Sequence, residues 1–178
     1  MNAFKIVWPA FPVIQGVDFN LGRLTDAERI GSLSQELIEG GLWGWSWNPY
    51  QVAKRIQNPN AFVLTVWAKG QMVAFAIMKY GKKVANLELL AVIPEYQRSG
   101  IGQCLVRYLE HSAFIFGISI VFLEVRVSNT GARSFYQSLG FKDLDFLPRY
   151  YSGSETAIRM SHRLRDRSLL SRVDDKII

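Results

Sequence analysis

A carboxylate in the middle of an apolar run is the first sign of chemistry in this sequence. Glu124 follows Ile120, Val121, Phe122 and Leu123 and precedes Val125. Burying a carboxylate without a partner is costly. Glu124 is therefore either paired, with Arg126 two residues on or with another arginine, or kept for use as a base. Glu88, in Leu87-Glu88-Leu89-Leu90, raises the same question. Tyr136 lies inside a helical stretch, where an aromatic residue most often packs a core. A third feature is Val92-Ile-Pro-Glu-Tyr-Gln97-Arg98-Ser99-Gly100-Ile101-Gly102-Gln103. It follows an apolar run and opens a helix, so free amides and the positive end of the helix dipole converge there. Gly100 and Gly102 allow a sharp turn and close approach of a ligand, and Arg98 adds charge. A pyrophosphate suits such a place.

Two familiar phosphate loops do not fit. A P-loop needs Lys-Ser/Thr after its second glycine, and Gln103-Cys104 stands there. A dinucleotide fold needs a glycine where Leu105 is found. The remaining alternative on glycines alone is a turn with no ligand.

The elements that must position these residues follow from periodicity. Thr25-Asp-Ala-Glu28 reads as a capping box, with Ile30, Leu33, Leu37 and Ile38 at helical spacing and Gly40-Gly41 as the stop. Asn48-Pro49 starts a second helix to about Gln57. Residues 62–68 and 72–79 form a hairpin about Lys69-Gly70-Gln71, and 84–93 is a third strand. A helix over 101–116 is followed by a strand over 118–127, apolar enough to be buried on both faces. Asn129 caps a helix over 130–139. Closing strands at 141–146 and 156–160 are split by Pro148 and the loop from Tyr150. Helices followed by β-β-β-α-β-α-β-β predict an α/β sandwich with a mixed sheet. Residues 1–24 show no clean period.

Composition narrows the class. The 178 residues are 49% hydrophobic and 20% charged, which excludes wholesale disorder and fits one domain. One cysteine, Cys104, and two histidines, His111 and His162, argue against an internal disulfide or a metal centre, so no metal is expected. Cys104 reads as packing. No apolar run approaches the roughly 20 residues of a membrane span, and residues 1–13 do not read as a signal peptide. A cytoplasmic location is the expectation. The net charge of +6 suits polyanionic partners without choosing among them.

Taken together, four separated motifs resemble the GNAT N-acetyltransferases. They are Gln97-Arg98-Ser99-Gly100-Ile101-Gly102 after Leu90-Ala91-Val92; Leu123-Glu124-Val125-Arg126 with Ser128-Asn129; Phe135-Tyr136 to Leu139-Gly140-Phe141; and Tyr150-Tyr151 with Ala157-Ile158-Arg159-Met160. The resemblance covers about residues 62–160 and extends to the RimI-type branch, which acetylates the amino-terminal alanine of a small-subunit ribosomal protein. It implies an α/β fold with a mostly antiparallel central sheet flanked by helices, in which the fourth and fifth strands splay. It also implies acetyl-CoA as cosubstrate. Leu90, Ala91 and Val92 would offer backbone to the pantetheine and acetyl, with the Val92 amide on the carbonyl. Gln97, Arg98, Ser99, Gly100, Ile101, Gly102 and Gln103 would hold the pyrophosphate, and Asn129 would contact the cofactor. The resemblance makes Glu124 the general base, through water, and Tyr136 the general acid for the thiolate. Glu88 is the rival base. Transfer is direct, in a ternary complex.

The amine class follows from basicity. At pH 7.5 an α-amine is about one-third neutral and a lysine about one part in a thousand, so an α-amino acceptor asks less of a carboxylate base. The acceptor wall implied by the resemblance draws on Trp47, Tyr150 and Tyr151, with Trp43, Trp45 and Tyr50 nearby. The implied partner is a protein N-terminus, a ribosomal protein included. The alternatives are a small-molecule amine acetyltransferase and a non-catalytic acyl-CoA-binding or ribosome-associated module. The expected domain is 1–160, followed by an Arg-rich tail over 161–178. That tail is either a solvated terminus or a contact to RNA.

Overall fold

In the computed structural model, residues 14–41, 46–151, 153 and 155–164 are described. Seven strands form one sheet in the order β1-β2-β3-β4-β5-β7-β6. These are β1 (Asp18–Leu21), β2 (Ala61–Ala68), β3 (Gln71–Tyr80), β4 (Val84–Val92), β5 (Ile120–Arg126), β6 (Lys142–Tyr151) and β7 (Glu155–Arg163). Every neighbouring pair is antiparallel except β4 and β5, so the mixed sheet of an α/β fold is as expected. Helices α1 (Ala27–Leu37) and α2 (Pro49–Ile56) cover one face, with Ile30, Leu33 and Val52 buried against Val63, Phe75 and Ile77. Helix α3 (Ile101–Ile115) packs Leu105, Val106 and Leu109 onto the opposite face, beside α4 (Thr130–Ser138).

Several elements depart from the pattern read above. Thr25 and Glu28 form no capping box: a 3-10 turn precedes α1, and Asp26 Oδ2 instead accepts from the Arg23 amide at 2.8 Å. The Asn48 cap is found, with Oδ1 accepting from Gln51 N at 3.1 Å. Pro148 does not split the closing hairpin. It sits in β6, an edge strand with an irregular register between Leu147 and Tyr151, where no ladder hydrogen bond is required of it. Strand β7 continues past Met160 to Arg163, and Leu164 is buried with its amide on Ser119 O, so the folded chain outruns the expected boundary at 160. Strand β5 is not buried on both faces. Val121, Leu123 and Val125 are buried, while Ile120, Phe122, Glu124 and Arg126 face a more open side. Trp43 and Trp45, residues 1–13 and tail residues 165–178 lie outside the described residues.

Candidate active site

The parallel ladder between β4 and β5 is short. It pairs Val84 with Ile120, Ala85 with Val121 and Asn86 with Phe122, and stops there, although both strands continue. The cause is visible on the other edge of β4. Ile77 pairs with Leu89 and Met78 with Leu87, so Glu88 is an extra residue. Such a bulge bends its strand and increases local twist. It also resets the side-chain alternation: Leu87 packs with the α3 core, Leu89 and Ala91 with the α1/α2 core. Beyond the bulge a gap opens between β4 and β5. The Ile93 amide bonds Val73 O on β3, so by alternation the Ala91 backbone also faces β3. Leu90 and Val92 then direct N–H and C=O into the gap. Val92 O accepts from Gln97 Nε2 at 3.0 Å, leaving the Val92 amide as the donor there.

The loop between β4 and α3 gathers backbone amides at the start of a helix. Arg98 has φ 62° and Gly100 φ 88°, the left-handed region that a side chain enters only at a cost. Ser99 Oγ donates to Tyr96 O at 2.5 Å. Gly100 caps α3 without a side chain, and the first helical bond runs from Cys104 N to Gly100 O. Among the described residues, no protein acceptor meets the amides of Arg98, Ser99, Gly100, Ile101, Gly102 or Gln103. A Cβ on Gly100 would meet nothing within 4 Å, whereas one on Gly102 would lie 3.3 Å from the Phe135 ring. Gly100 thus keeps the approach open, and Gly102 lets α3 pack close to α4. This cradle of free amides beside an unpaired strand edge fits a pyrophosphate followed by an extended, amide-bearing chain. Asn129 serves α4 as its cap, with Oδ1 accepting from Ala132 N at 3.0 Å, so only its amide nitrogen remains for a ligand. Cys104 is half-buried, and burial pushes its thiol pKa up, as expected of a packing residue.

Glu88 and Glu124 face the same side of the sheet in different company. Arg55 grips both oxygens of Glu88, at 2.5 and 2.9 Å. Glu124 Oε1 accepts from Arg159 Nε at 2.9 Å, and Oε2 meets Asn86 Nδ2 at 3.4 Å. The arginine paired with Glu124 is therefore the one across the ladder on β7, and Arg126 turns elsewhere. Glu124, 9% exposed at its side chain, lines an open pocket of about 390 Å³ with Lys79, Asn86, Phe122, Tyr150 and Arg159.

Three phenols continue from it. Tyr150 hydrogen-bonds Glu124, and its pKa is raised by burial and by that carboxylate's charge. The Tyr151 hydroxyl donates to the Glu124 carbonyl at 3.2 Å, and its ring meets Tyr150 edge-on at 5.0 Å. Tyr136 is buried between Phe135 and Phe141; burial first, then nearby Tyr151, raises its pKa well above 10. Across the site, Trp47 lies beneath the Arg55 guanidinium at 5.4 Å. The structure thus brings together Glu124, Tyr150 and Tyr151, joins Trp47 to Glu88 through Arg55, and leaves Tyr50 exposed under Lys54. Arg55, Asn86 and Arg159 are site residues that sequence reasoning did not find as partners. Their only signal was an unexplained acid on each strand.

A mixed sheet splayed at its one parallel pair, with an amide cradle at the mouth of the split, could take a pyrophosphate and an extended arm such as those of an acyl-CoA. The chain belongs to the acetyltransferase (GNAT) family, which matches residues 32–141 and uses acetyl-CoA. It is 40% identical over 95 residues to the [ribosomal protein bS18]-alanine N-acetyltransferase of Escherichia coli K12, a match spanning 52% of this chain and 64% of that enzyme. The enzyme of the same description from Haemophilus influenzae is 31% identical over 140 residues, 76% of this chain and 91% of its own. The crystal structure of the ribosomal-protein-S18-alanine N-acetyltransferase from Escherichia coli superposes with a TM-score of 0.71 at 30% identity, covering 83% and 94% of the two chains. Among the described residues, no cluster of His, Cys, Asp or Glu could hold a metal, and no helix is long and apolar enough to cross a membrane.

Proposed function

We propose that this N-acetyltransferase acts on a protein N-terminal α-amine in the cytoplasm, by direct transfer in a ternary complex, with a ribosomal protein as the implied acceptor. The observation that carries the reading is the position of Glu124. Its carboxylate lines a pocket walled by the paired ends of β4 and β5, and Glu124 is the first residue of its strand face past the last ladder pair, where the gap begins. The amides of residues 98–103 would hold the pyrophosphate, with Leu90 and Val92 lining the pantetheine path and the Asn129 amide nitrogen available to the cofactor. Bound acetyl-CoA supplies a thioester-activated acetyl group. The Val92 N–H polarises the carbonyl in the gap, where a donor in a low-dielectric site is most effective. Glu124 takes the amine proton through water, held in place by Arg159 and facing the pocket beside Tyr150. Tyr136, kept protonated by its burial, returns a proton to the departing sulfur. Trp47, Tyr150 and Tyr151 line the acceptor's path.

Glu88 is a poorer base because Arg55 occupies both of its oxygens. A polyamine acceptor calls for an acidic pocket, and here Lys79 and Arg159 accompany the one acid. The domain spans the described chain through Leu164, and residues 165–178 stay an Arg-rich tail whose RNA contact is open to a salt-dependence test.

The test measures thiol release from acetyl-CoA with a peptide bearing a free N-terminal Ala, beside its N-blocked, lysine-containing twin. Turnover with the free terminus alone is expected. Equal turnover with both would replace the α-amine reading with a side-chain one. Acetyl-CoA binding without turnover on either peptide would end the peptide reading and direct the search to small amines.

A further inference from the structure

Arg126 is two residues on from the base and on the same strand face, yet the two side chains are not paired with each other. Its guanidinium donates to two carbonyls at the end of α1: Nη1 to Gly40 O at 3.0 Å and Nη2 to Ile38 O, 86 and 88 residues away. On its other side it pairs with Glu155 at 3.6 Å, at the start of β7, and stacks over the Tyr151 ring at 5.7 Å. Ser128 Oγ donates to that same Glu155. One half-buried fork therefore holds the α1–α2 connection and the β6–β7 hairpin at once.

The residue between the two gripped carbonyls is Glu39, itself buried. Its carboxylate accepts from Ser46 N at 2.8 Å, Ser46 Oγ at 3.0 Å and Trp47 N at 2.8 Å. Arg126 thus fixes the start of the connection, and Glu39 fixes its end. From there Trp47 lies under Arg55, and Arg55 grips Glu88, the bulged residue of β4. The contacts form a belt from β5 over the acceptor side to β4. Its two ends are the two strands that part to form the gap.

We infer that Arg126 is a positioning residue that sets the acceptor opening: it holds both walls of the acceptor site over the gap, without contacting the cofactor loop. This rests on the reading that the α1/α2 side receives the amine. A planar guanidinium is required, because a lysine ammonium cannot serve two carbonyls and stack on a ring together. Losing bonds from a charged donor to two carbonyls is expected to cost about tenfold or more in acceptor affinity.

The experiment compares wild type with Arg126→Ala, Arg126→Lys and Glu155→Gln. It reads acceptor KM, kcat, acetyl-CoA Kd by calorimetry, and amide hydrogen exchange. Arg126→Ala should raise acceptor KM about tenfold or more, with acetyl-CoA Kd within about twofold of wild type. Exchange should rise in residues 38–41 and in residues 149–155 together, while α3 stays protected. Arg126→Lys should recover only part of the KM, and Glu155→Gln should loosen the hairpin alone. A rise in exchange confined to one segment, or an unchanged acceptor KM, overturns the inference, as does a KM restored by lysine. If Arg126→Ala does not fold, Arg126→Lys carries the same comparison, with a smaller rise expected in both segments. If the wild-type chain acetylates no peptide, the functional reading fails while the paired exchange response still decides whether Arg126 joins the walls.

Discussion

The two banks of the gap between β4 and β5 are made of different material. The β4 bank and the loop after it present backbone: the Leu90 and Val92 edge, then the amides of residues 98–103, which meet no protein acceptor among the described residues. The β5 bank presents side chains: Glu124 toward Arg159, and Arg126 toward the walls. A backbone bank needs only a strand, a turn and a helix start, so any sequence that makes the turn makes the site. A side-chain bank needs partners from several elements and tolerates no neutral exchange of a charged member. The same difference separates the two carboxylates. Glu88 is locked into structure by a two-oxygen fork from one arginine, whereas Glu124 has a single bond from Arg159 and shares the rest of its carboxylate between Tyr150 and a long contact from Asn86.

Exchanging each acid for its amide breaks or sharpens that contrast most. Glu124→Gln should lower kcat by about 10²–10⁴, the usual worth of a general base, with acetyl-CoA Kd unchanged. Glu88→Gln should lower kcat less than about tenfold while reducing thermal stability, because Arg55 loses a charge-assisted pair worth about 1.5–3 kcal/mol. Steady-state kinetics beside a melting curve reads both. Were the large kcat loss to fall on Glu88 instead, the catalytic assignment would move to β4.

How far each bank could be read from the sequence follows from its material. The amide loop is local: Gly100, Gly102, the preceding apolar run and the following helix lie within one short segment. Glu124 stood out as an acid among apolar neighbours, but its arginine is 35 residues away, and that of Glu88 is 33 residues away. Periodicity carries no information about such pairs. The bulge at Glu88 was hidden for a similar reason, since it is a matter of register between strands. Strand β1 has only four residues and gains its order from pairing with β2 rather than from its own pattern. Pro148 misled because a proline disrupts an inner strand, and only the fold reveals that β6 is an edge.

The buried and half-buried phenols, Tyr80 on β3 among them, give a smaller, pH-dependent effect. Burial pushes Tyr80 to about 12, against a Ser112 hydrogen bond that lowers it, and raises Tyr136 and Tyr151 further. Their folded pKa values exceed the unfolded value near 10, so the stabilisation is complete below pH 10. Above it the unfolded chain releases protons that the folded chain keeps, and stability falls as pH rises through 10–12. Melting temperatures should therefore drop over that range, less steeply in Tyr80→Phe. The same burial keeps Tyr136 protonated, so it imposes no alkaline limb on kcat below about pH 10. A melting temperature flat from pH 9.5 to 11.5 would remove the burial argument.

The smallest effect tests the backbone bank, and helix α3 carries its own control. Gly100 at its start has φ 88° and Gly117 just past its end has φ 75°; a Cβ at either would meet nothing within 4 Å. Alanine at each position meets the same backbone penalty, about 1 kcal/mol, and no steric one. Gly100→Ala and Gly117→Ala should therefore lower stability alike. Only Gly100, though, borders the cradle of free amides, where open space around the α-carbon admits a ligand that a methyl group would obstruct. Acetyl-CoA Kd should rise severalfold in Gly100→Ala and stay at the wild-type value in Gly117→Ala. Equal affinity in both variants would mean that the left-handed turn serves only to start the helix, and that the anion is held elsewhere along the β4 bank.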